Sequence, residues 1–352
     1  MTTVTTSALT TANAARSAGA GGVEIPESLR AAYACCATIA RQRARNFYYG
    51  LRLTPEPKRS AIYSVYAWMR AADDQADAPG TIEEKRARLQ QFRDAAELLI
   101  ARNVSAASTD ADIGEFENDP VWRAFRATFR DYALDPRDVR DMLRGLEDDL
   151  AAEHAAASRA GGPAPAYESR DDLLRYCYRV ASTVGLICVS IWGLREASSR
   201  EEARRLAIRR GHAFQLTNIL RDFAQDFGEG RVYLPSADFR RAKLGAIELR
   251  DWSKPEACAE MVGGLARWAR AEYRASAGLE ELIDPSCVAT LWTMTSIYSG
   301  LLDVIERNPN RVVSARRVRL PSWRKAALAV RGVVMARGFS GGAQPSGTGG
   351  AR

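Results

Sequence analysis

Two pairs of aspartates repeat the same four-residue spacing in distant parts of the chain. Asp73 and Asp77 stand in YAWMRAADDQAD, and Asp222 and Asp226 stand in QLTNILRDFAQDFGEGRVYLP. Residues four apart share one face of a helix, where two like charges cost about 0.2–0.5 kcal/mol. A bridging cation would remove that cost, and Mg²⁺ prefers carboxylate, water and phosphate oxygens. The spacing therefore predicts magnesium-assisted loss of a diphosphate, whose developing charge the metal neutralises.

The second pair belongs to a longer polar face. Asn218 lies four residues before Asp222, and Gln215 lies three residues before Asn218, so these side chains line up on one side of a helix. We predict a set of five metal ligands: Asp73, Asp77, Asn218, Asp222 and Asp226. Three guanidinium groups stand close enough in sequence to hold the remaining phosphate oxygens: Arg70, Arg221 and Arg231. One such pair is usually a solvated helix face, but two pairs in one helical chain favour a metal–diphosphate site.

The elements that must position these residues are helices. Segments rich in Leu, Ala, Arg and Glu show apolar residues at 3.6-residue intervals, and prolines stand at most of the junctions. The predicted helices cover 27–50, 58–78, 81–101, 119–132, 136–150, 169–193, 200–227, 256–282, 287–307 and 321–337. The pattern predicts an all-α fold.

The domain organisation is predicted from composition. Residues 1–24 and 338–352 are rich in small and polar residues and are expected to be disordered tails around one domain, 25–337. Segment 155–167 is the one substantial internal linker. We interpret it as a surface loop, because the two aspartate pairs lie on either side of it.

Bulk properties exclude several functional classes. The net charge is +7 and the pI about 9.2, but most arginines stand beside acids, which argues against a nucleic-acid surface. Six cysteines without a CxxC pair and only two histidines make a zinc site improbable and indicate reduced thiols in a cytoplasmic protein. No apolar run reaches about 18 residues, so no membrane-spanning helix is expected.

Several segments, in order, resemble the squalene/phytoene synthase family over roughly residues 38–326. The resemblance implies an all-α isoprenoid-synthase bundle around a central apolar cavity, with two or three Mg²⁺ ions. It also implies head-to-head joining of two identical prenyl diphosphates. The segments that carry it are ARNFYYGLRLTPEPKRSAIYSVYAWMRAADDQAD, MLRGLEDDL, YCYRVASTVGLICVSIWG, FQLTNILRDFAQDFGEGRVYLP and RVRLPSWRK.

The resemblance also implies roles for individual residues. Tyr176 matches a tyrosine that acts in cyclopropane formation, and Val180, Val184 and Gly185 match the prenyl channel, with Gly185 allowing close helix approach. The implied diphosphate and substrate contacts are Arg45, Asn46, Phe47, Arg70, Gln215, Asn218, Arg221, Arg231, Tyr233 and Tyr298. A carbocation formed there needs dry, apolar or aromatic walls.

Four positions depart from the family pattern. Ala44 and Asn46 stand where the family commonly has serines, which puts hydroxyl contacts to the substrate in doubt. Gln225 replaces a glutamate of the second acidic motif, although both of its aspartates are kept. Ser182 replaces a glycine.

The NFYY and YCYRVA segments look closest to bacterial enzymes that form presqualene diphosphate and squalene. We therefore expect condensation of two farnesyl diphosphates to presqualene diphosphate. The alternatives are a phytoene synthase acting on two geranylgeranyl diphosphates and, in another class, a non-catalytic helical assembly factor. Squalene formation would need NADPH, but the GAGG at 19–22 is no dinucleotide fingerprint.

The interactions expected of the chain follow from the same features. We expect a monomer that binds prenyl diphosphates and does not bind nucleic acid. Peripheral contact with a membrane is an expectation based on the basic stretch RVRLPSWRK, whose alternative reading is a solvated helix start.

Overall fold

The computed structural model describes residues 27–104, 113–157 and 162–340, and within these ranges the regular structure is helical. The two β-bridges found there, Pro165–Val232 and Leu194–Ile283, are isolated. The predicted all-α class is confirmed. The predicted tail 1–24 and residues 341–352 of the other tail lie outside the described residues, and the division into one domain, 25–337, stays a prediction.

Fifteen α-helices are present in the described residues. They are α1 Glu27–Arg43, α2 Arg45–Leu51, α3 Lys58–Asp77, α4 Ile82–Val104, α5 Pro120–Asp131, α6 Pro136–Ala157, α7 Arg170–Cys177, α8 Thr183–Trp192, α9 Arg200–Gly228, α10 Ser236–Ala242, α11 Ala246–Arg250, α12 Pro255–Ala275, α13 Leu279–Leu282, α14 Val288–Arg307 and α15 Ser322–Ser340. A π-helical turn, Tyr178–Ser182, joins α7 to α8.

The helix ends follow local capping chemistry. Asp119 accepts hydrogen bonds from the backbone nitrogens of Val121 and Trp122 at 2.7 and 3.1 Å, and Pro120 occupies the first helical position of α5. Ser169 and Asp172 form a reciprocal capping box at the start of α7. The sequence did not predict α10 and α11, which are only seven and five residues long.

Two large clusters of aromatic and aliphatic residues form most of the core. In the first, the Trp68 ring of α3 stacks on Phe125 of α5 with centroids 4.0 Å apart and also contacts Phe92 of α4. The second cluster is formed largely by α7, α9, α12 and α14. Burial of each large apolar side chain contributes about 1.5–3 kcal/mol, so these clusters hold the acid-bearing helices α3 and α9 in place.

Ion pairs with buried acids fix the N-terminal half of α9. Arg204 binds both oxygens of the fully buried Asp138 of α6 at 2.7 and 2.8 Å. Arg210 binds Glu280 of α13 at 2.7 and 3.0 Å. Removing one partner of such a pair costs about 3–5 kcal/mol. The first half of α9 is therefore a rigid base for the carboxylates on its second half.

Close helix approach occurs at Gly211 rather than at the predicted Gly185. A Cβ on Gly211 of α9 would lie 2.7 Å from the Ser182 nitrogen and closer still to its Cα, whereas one on Gly185 would lie 3.6 Å from the Ala207 carbonyl oxygen, an ordinary contact. Ser182 also donates to the Ile208 carbonyl at 2.8 Å. The family glycine replaced by Ser182 is thus compensated by a glycine on the facing helix.

Two helical stretches, Arg170–Trp192 and Pro285–Arg307, have the length and composition of a membrane span. In the most apolar part of each stretch, 50% of the first and 67% of the second is buried inside the fold. Core helices of a bundle pass the same test, so both are interpreted as core. The six cysteines are unpaired, and burial raises the pKa of the Cys36 and Cys188 thiols to about 12.

We expect Gly211→Ala to lower the free energy of unfolding by about 1–3 kcal/mol, because the new methyl group overlaps the backbone of the π-helical turn. Gly185→Ala, the matched control, should change it by no more than about 0.5 kcal/mol. Chemical denaturation of both variants measures the difference. An equal change in the free energy of unfolding for the two variants would show that Gly211 is not in close contact with the π-helical turn.

Candidate active site

The first aspartate pair lies at the C-terminal end of α3. Asp73 accepts a hydrogen bond from Arg70 at 2.7 Å, and Asp77 is the last helical residue and is exposed. The neighbouring Asp74 is instead held by both guanidinium nitrogens of Arg43, at 2.6 and 2.8 Å. Carboxylates at a helix C-terminus oppose the helix dipole, so Asp73 and Asp77 gain from a cation.

Electrostatics single out Asp73. Burial raises the pKa of Asp73 to about 7; Arg70 opposes the rise, and the charges of Asp77 and Asp149 add to it. In contrast, hydrogen bonds from Arg43 lower the pKa of Asp74. Asp73 therefore shares its site with other acids and is poised to exchange a proton for a metal ion, while Asp74 ties α3 to α1.

The two aspartates of the second pair, on α9, have different electrostatic roles. Burial alone would raise the pKa of Asp222, but hydrogen bonds from Arg221, at 2.8 and 2.6 Å, and from Arg317, which also contacts both carboxylate oxygens, lower it. Burial raises the pKa of Asp226 to about 7; Asp222 adds to the rise, and Arg231, 3.9 Å away, opposes it. Asp222 is thus a fixed anion, and Asp226 is the more easily neutralised acid.

Unpaired polar atoms beside these acids indicate a missing ligand. The side-chain nitrogen of Asn218 donates to Gln215 at 3.2 Å, but its buried oxygen has no hydrogen-bond partner. The buried Nε atoms of Arg70 and Arg231 also lack partners. A buried unsatisfied group costs about 1–3 kcal/mol. An acceptor suited to a cation and two donors suited to an anion fit a metal–diphosphate complex.

In the described part of the chain, no three His, Cys, Asp or Glu side chains form a ready-made metal cage. Mg²⁺ usually takes one or two carboxylates and completes its octahedron with water and phosphate oxygens. The predicted donor set fits this mode of binding: Asp73, Asp77, Asn218, Asp222 and Asp226. Metal binding would then depend on the diphosphate as well as on the protein.

A tyrosine–aspartate cluster connects the two pairs. Tyr233 donates to Asp149 of α6 at 3.4 Å, and Tyr176 lies close enough to the same carboxylate to lower its pKa. The rings of Tyr176 and Tyr233 stack 5.3 Å apart. Burial raises the pKa of Asp149 to about 6 and that of Tyr176 well above its usual range. Since Asp149 interacts with Asp73 on one side and Arg231 on the other, the helices α3 and α9 share one electrostatic site.

Asp149 and Arg317 are the site residues that sequence reasoning missed. Both lie in segments that carry the family resemblance, and the only local signal was the acidic run Glu147–Asp149 and the basic run around Arg317. Neither run specified which charge points inward. In the structure Asp148, next to Asp149, pairs with Arg179 instead.

The aromatic wall lies beside the second pair. Tyr298 of α14 is buried, its ring centroid lies 6.0 Å from the guanidinium carbon of Arg221, and it stacks on Phe47 with centroids 4.9 Å apart. Phe214 adds a third ring, 4.8 Å from Tyr298. The predicted channel residues Val180, Val184 and Gly185 are half-buried on the π-helical turn and α8. The side chains of Arg45 and Asn46 lie outside the described residues.

Two clefts open at the site. One, of about 520 Å³, is bordered by Tyr167, Tyr176, Arg231 and Tyr233. The other, of about 870 Å³, contains Asp222 and six arginines: Arg221, Arg250, Arg311, Arg316, Arg317 and Arg319. The excess of guanidinium groups makes this second cleft a favourable environment for phosphate oxygens.

Comparison with known proteins agrees with this architecture. The family model for squalene/phytoene synthase matches residues 40–324. The 15-cis-phytoene synthase of Synechococcus elongatus is 31% identical over 307 residues, 85% of this chain and 91% of that protein. The presqualene diphosphate synthase of Rhodopseudomonas palustris is 31% identical over 300 residues, 84% of this chain and 85% of that protein.

Solved structures show the same fold. A crystal structure of a dehydrosqualene synthase in complex with ligand covers 88% of this chain and 98% of its own, with a TM-score of 0.69 and 26% identity. The squalene synthase of Alicyclobacillus acidocaldarius covers 80% of this chain and 96% of its own, with a TM-score of 0.66 and 22% identity. The predicted isoprenoid-synthase bundle is confirmed.

The raised pKa values of Asp73 and Asp226 predict a pH-dependent response to metal. A folded-state pKa near 7, above the unfolded value of about 3.9, makes the metal-free protein lose stability as pH rises from about 4 to 7. Mg²⁺ with inorganic pyrophosphate should therefore raise the melting temperature more at pH 8 than at pH 5.5, as measured by differential scanning fluorimetry.

Neighbouring variants provide the control. Asp73→Asn should raise the metal-free melting temperature at pH 8 and weaken the response to Mg²⁺ and pyrophosphate, because it removes an unfavourable buried charge that binds metal. Asp74→Asn should lower the metal-free melting temperature, because the ionised Asp74 is stabilised by Arg43. Identical behaviour of the two variants would contradict the assignment.

Proposed function

This chain belongs to the squalene/phytoene synthase family of prenyltransferases, and we propose that it joins two molecules of farnesyl diphosphate head to head into presqualene diphosphate. The observation that carries the proposal is the convergence of the α3 and α9 carboxylates with arginines on one site. Asp73 faces Arg70, and Asp222 lies between Arg221 and Arg317. Acids that hold metal beside guanidinium groups that hold phosphate suit ionisation of an allylic diphosphate.

The first chemical step breaks a carbon–oxygen bond. The C1–O bond of one substrate ionises, and the electron pair leaves with the diphosphate. The unpaired Nε–H groups of Arg70 and Arg231 are available to bind this diphosphate. Bound Mg²⁺ supplies charge neutralisation for the departing diphosphate. The allylic cation left behind is shielded from water by the aromatic wall of Phe47, Phe214 and Tyr298.

The second step forms the new carbon–carbon bonds. The double bond of the second substrate attacks the cation, and loss of one proton closes the cyclopropane ring, so the products are presqualene diphosphate, diphosphate and a proton. The raised pKa of Tyr176 keeps its hydroxyl neutral, which makes it a poor base on its own. We assign it as a relay that passes the proton to the neighbouring Asp149, whose pKa burial raises to about 6.

A phytoene synthase acting on two geranylgeranyl diphosphates is the second candidate. It is favoured by the named phytoene synthases of Synechococcus elongatus and Arthrospira platensis, which are 31% and 30% identical to this chain. The presqualene diphosphate synthase of Rhodopseudomonas palustris, also 31% identical, favours the shorter substrate. Both reactions use the same ionisation site and differ in the chain length that the apolar cavity must accept.

The remaining interactions are proposed on the same basis. The chain would act as a monomer in the cytoplasm, in peripheral contact with a membrane, and its unpaired cysteines suit a reducing compartment. Presqualene diphosphate forms without a reductant, so NADPH would be needed only for a further step to squalene.

Product analysis distinguishes these functions. Purified protein with Mg²⁺ is incubated with farnesyl or geranylgeranyl diphosphate, with and without NADPH, and the lipid extract is analysed by mass spectrometry. We expect presqualene diphosphate from farnesyl diphosphate in both the presence and absence of NADPH. Phytoene as the main product would establish the second candidate, and no diphosphate release from either substrate would favour the assembly factor.

Removal of a carboxylate should abolish turnover without unfolding the protein. We expect Asp222→Ala and Asp226→Asn to reduce diphosphate release by at least about 10²–10³-fold, the loss typical of removing an electrostatic catalytic group. Asp226→Asn is the variant that preserves folding, because the raised pKa of Asp226 shows that its charge is unfavourable without metal. Coupled pyrophosphate detection measures the rates.

Asp94→Ala, which removes an exposed acid on α4, is the matched control and should keep wild-type activity. If the Asp226→Asn variant and the Asp222→Ala variant both released diphosphate at the wild-type rate, the assignment of the metal site would be wrong.

A further inference from the structure

An apolar stripe faces solvent on α15. Of the seven large hydrophobic side chains exposed in the described residues, five lie on this helix. Trp323, Val330 and Val334 are 72%, 67% and 59% exposed, and their spacing of seven and four residues places them on one face. Single exposed apolar residues are ordinary, but a continuous row marks an interaction surface. We call these three residues and the exposed Ala326 and Ala327 between them the α15 stripe.

The orientation of this helix is fixed by its opposite face. A Cβ on Gly332 would lie 3.0 Å from the Ala289 carbonyl oxygen of α14, so the two helices are in close contact there. Leu328 packs against the second core cluster. At the start of the helix, Lys325 lies 5.5 Å from the centroid of the Tyr49 ring. Rotation that buries the stripe would break this packing, so the stripe is a stable feature of the surface.

The stripe is embedded in a segment without acidic residues. After Glu306 the chain contains ten Lys and Arg residues and no Asp or Glu, so residues 307–352 carry +10 and the remainder −3. Arg316, Arg319 and Arg324 form no ion pair with a carboxylate in the described structure. Next to the stripe, Arg331 lies over the ring of Trp292 at 5.7 Å. This concentration of unneutralised charge differs from the mixed surface of the rest of the chain.

We propose that the α15 stripe and the arginines beside it dock on an anionic lipid bilayer. Valines enter the boundary between headgroups and acyl chains, Trp323 lies at the headgroup level, and arginines bind lipid phosphates. The charge distribution favours this partner over a second copy of the chain, because two such surfaces would bring like charges together. It also disfavours nucleic acid, because the centre of the surface is apolar.

The position of the surface matches the chemistry of the site. Helix α15 packs on the two helices α14 and α2, which also carry the Tyr298 and Phe47 rings of the aromatic wall. This part of the argument rests on the proposed function: the substrate is amphiphilic and the carbon skeleton of the product is long and apolar. A protein seated on lipid by α15 exchanges both with the bilayer over a short distance.

Vesicle flotation of the full-length protein tests the proposal. Binding is compared for phosphatidylcholine vesicles and for vesicles containing about 30% phosphatidylglycerol, at low and high salt. We expect binding to the anionic vesicles at least about tenfold tighter than to the neutral ones, and strongly weakened by salt. The triple variant, with Trp323→Ala, Val330→Ser and Val334→Ser, should bind anionic vesicles at least about tenfold more weakly than the wild type. Arg324→Gln should lose about fivefold.

Matched variants elsewhere on the surface separate this effect from general charge and hydrophobicity. Ile247→Ser removes an exposed isoleucine of α11 and Arg137→Gln a highly exposed arginine of α6, and both should bind like wild type. Equal binding to neutral and anionic vesicles, or full binding by the triple variant, would overturn the proposal. So would a wild-type dimer in sedimentation velocity that the triple variant abolishes.

Diphosphate release from detergent-dispersed substrate separates the two hypotheses. The triple variant should retain wild-type activity in that assay. Wild-type protein that is active in detergent but does not float with anionic vesicles would remove the docking surface and leave the proposed function intact. Wild-type protein that floats with anionic vesicles but is inactive would support the docking surface and contradict the proposed function.

Discussion

The crowding of carboxylates between α3, α6 and α9 is the constraint on which the site depends. Burial raises the pKa of Asp73, Asp149 and Asp226, and a neighbouring acid adds to each rise: Asp77 at Asp73, Asp148 at Asp149 and Asp222 at Asp226. Asp222 differs because the guanidinium groups of Arg221 and Arg317 lower its pKa. The cluster therefore has one fixed anion and three acids near neutrality, so protons and divalent cations compete for the same oxygens. Metal affinity and pH response follow from this one arrangement.

The bundle prevents that crowding from relaxing. Helix α9 is held at its N-terminal half by the ion pairs that Arg204 and Arg210 form with buried acids, and Gly211 presses it against the π-helical turn. Helix α3 is held by Trp68 in the first core cluster and by Arg43 through Asp74. Like charges would separate if these helices moved apart, so tight packing far from the acids maintains the unfavourable proximity that a metal ion can exploit.

The sequence predicted the parts of this site that are local. A four-residue spacing on a helix defines a face, so Asp73, Asp77, Asp222 and Asp226 were predictable from period alone. Arg317 reaches Asp222 across 95 residues, and Asp149 meets Tyr233 across 84, contacts that no spacing rule contains. Gly185 and Gly211 make the same point for packing: both are helical glycines, and only the identity of the facing atom shows which one is required. The all-α class was predictable because the apolar period was long and repeated, whereas the short α10 and α11 carry too few turns to show one.

The average composition of the chain concealed the concentration of positive charge in its C-terminal segment. Arginines beside acids through most of the chain suggested a mixed surface, but residues 307–352 hold ten cations and no acid. The same segment supplies Arg317 to Asp222 and places Lys325 in the first turn of α15, where burial and the charges of Arg319 and Arg221 lower the pKa of Lys325. Helix α15 therefore packs on the helices that carry the aromatic wall and presents the α15 stripe to solvent. Transfer of apolar carbon into water costs about 0.8 kcal/mol per methylene, so release of a long prenyl product into solvent is very costly, and the α15 stripe we propose as a docking surface would give it a route to lipid.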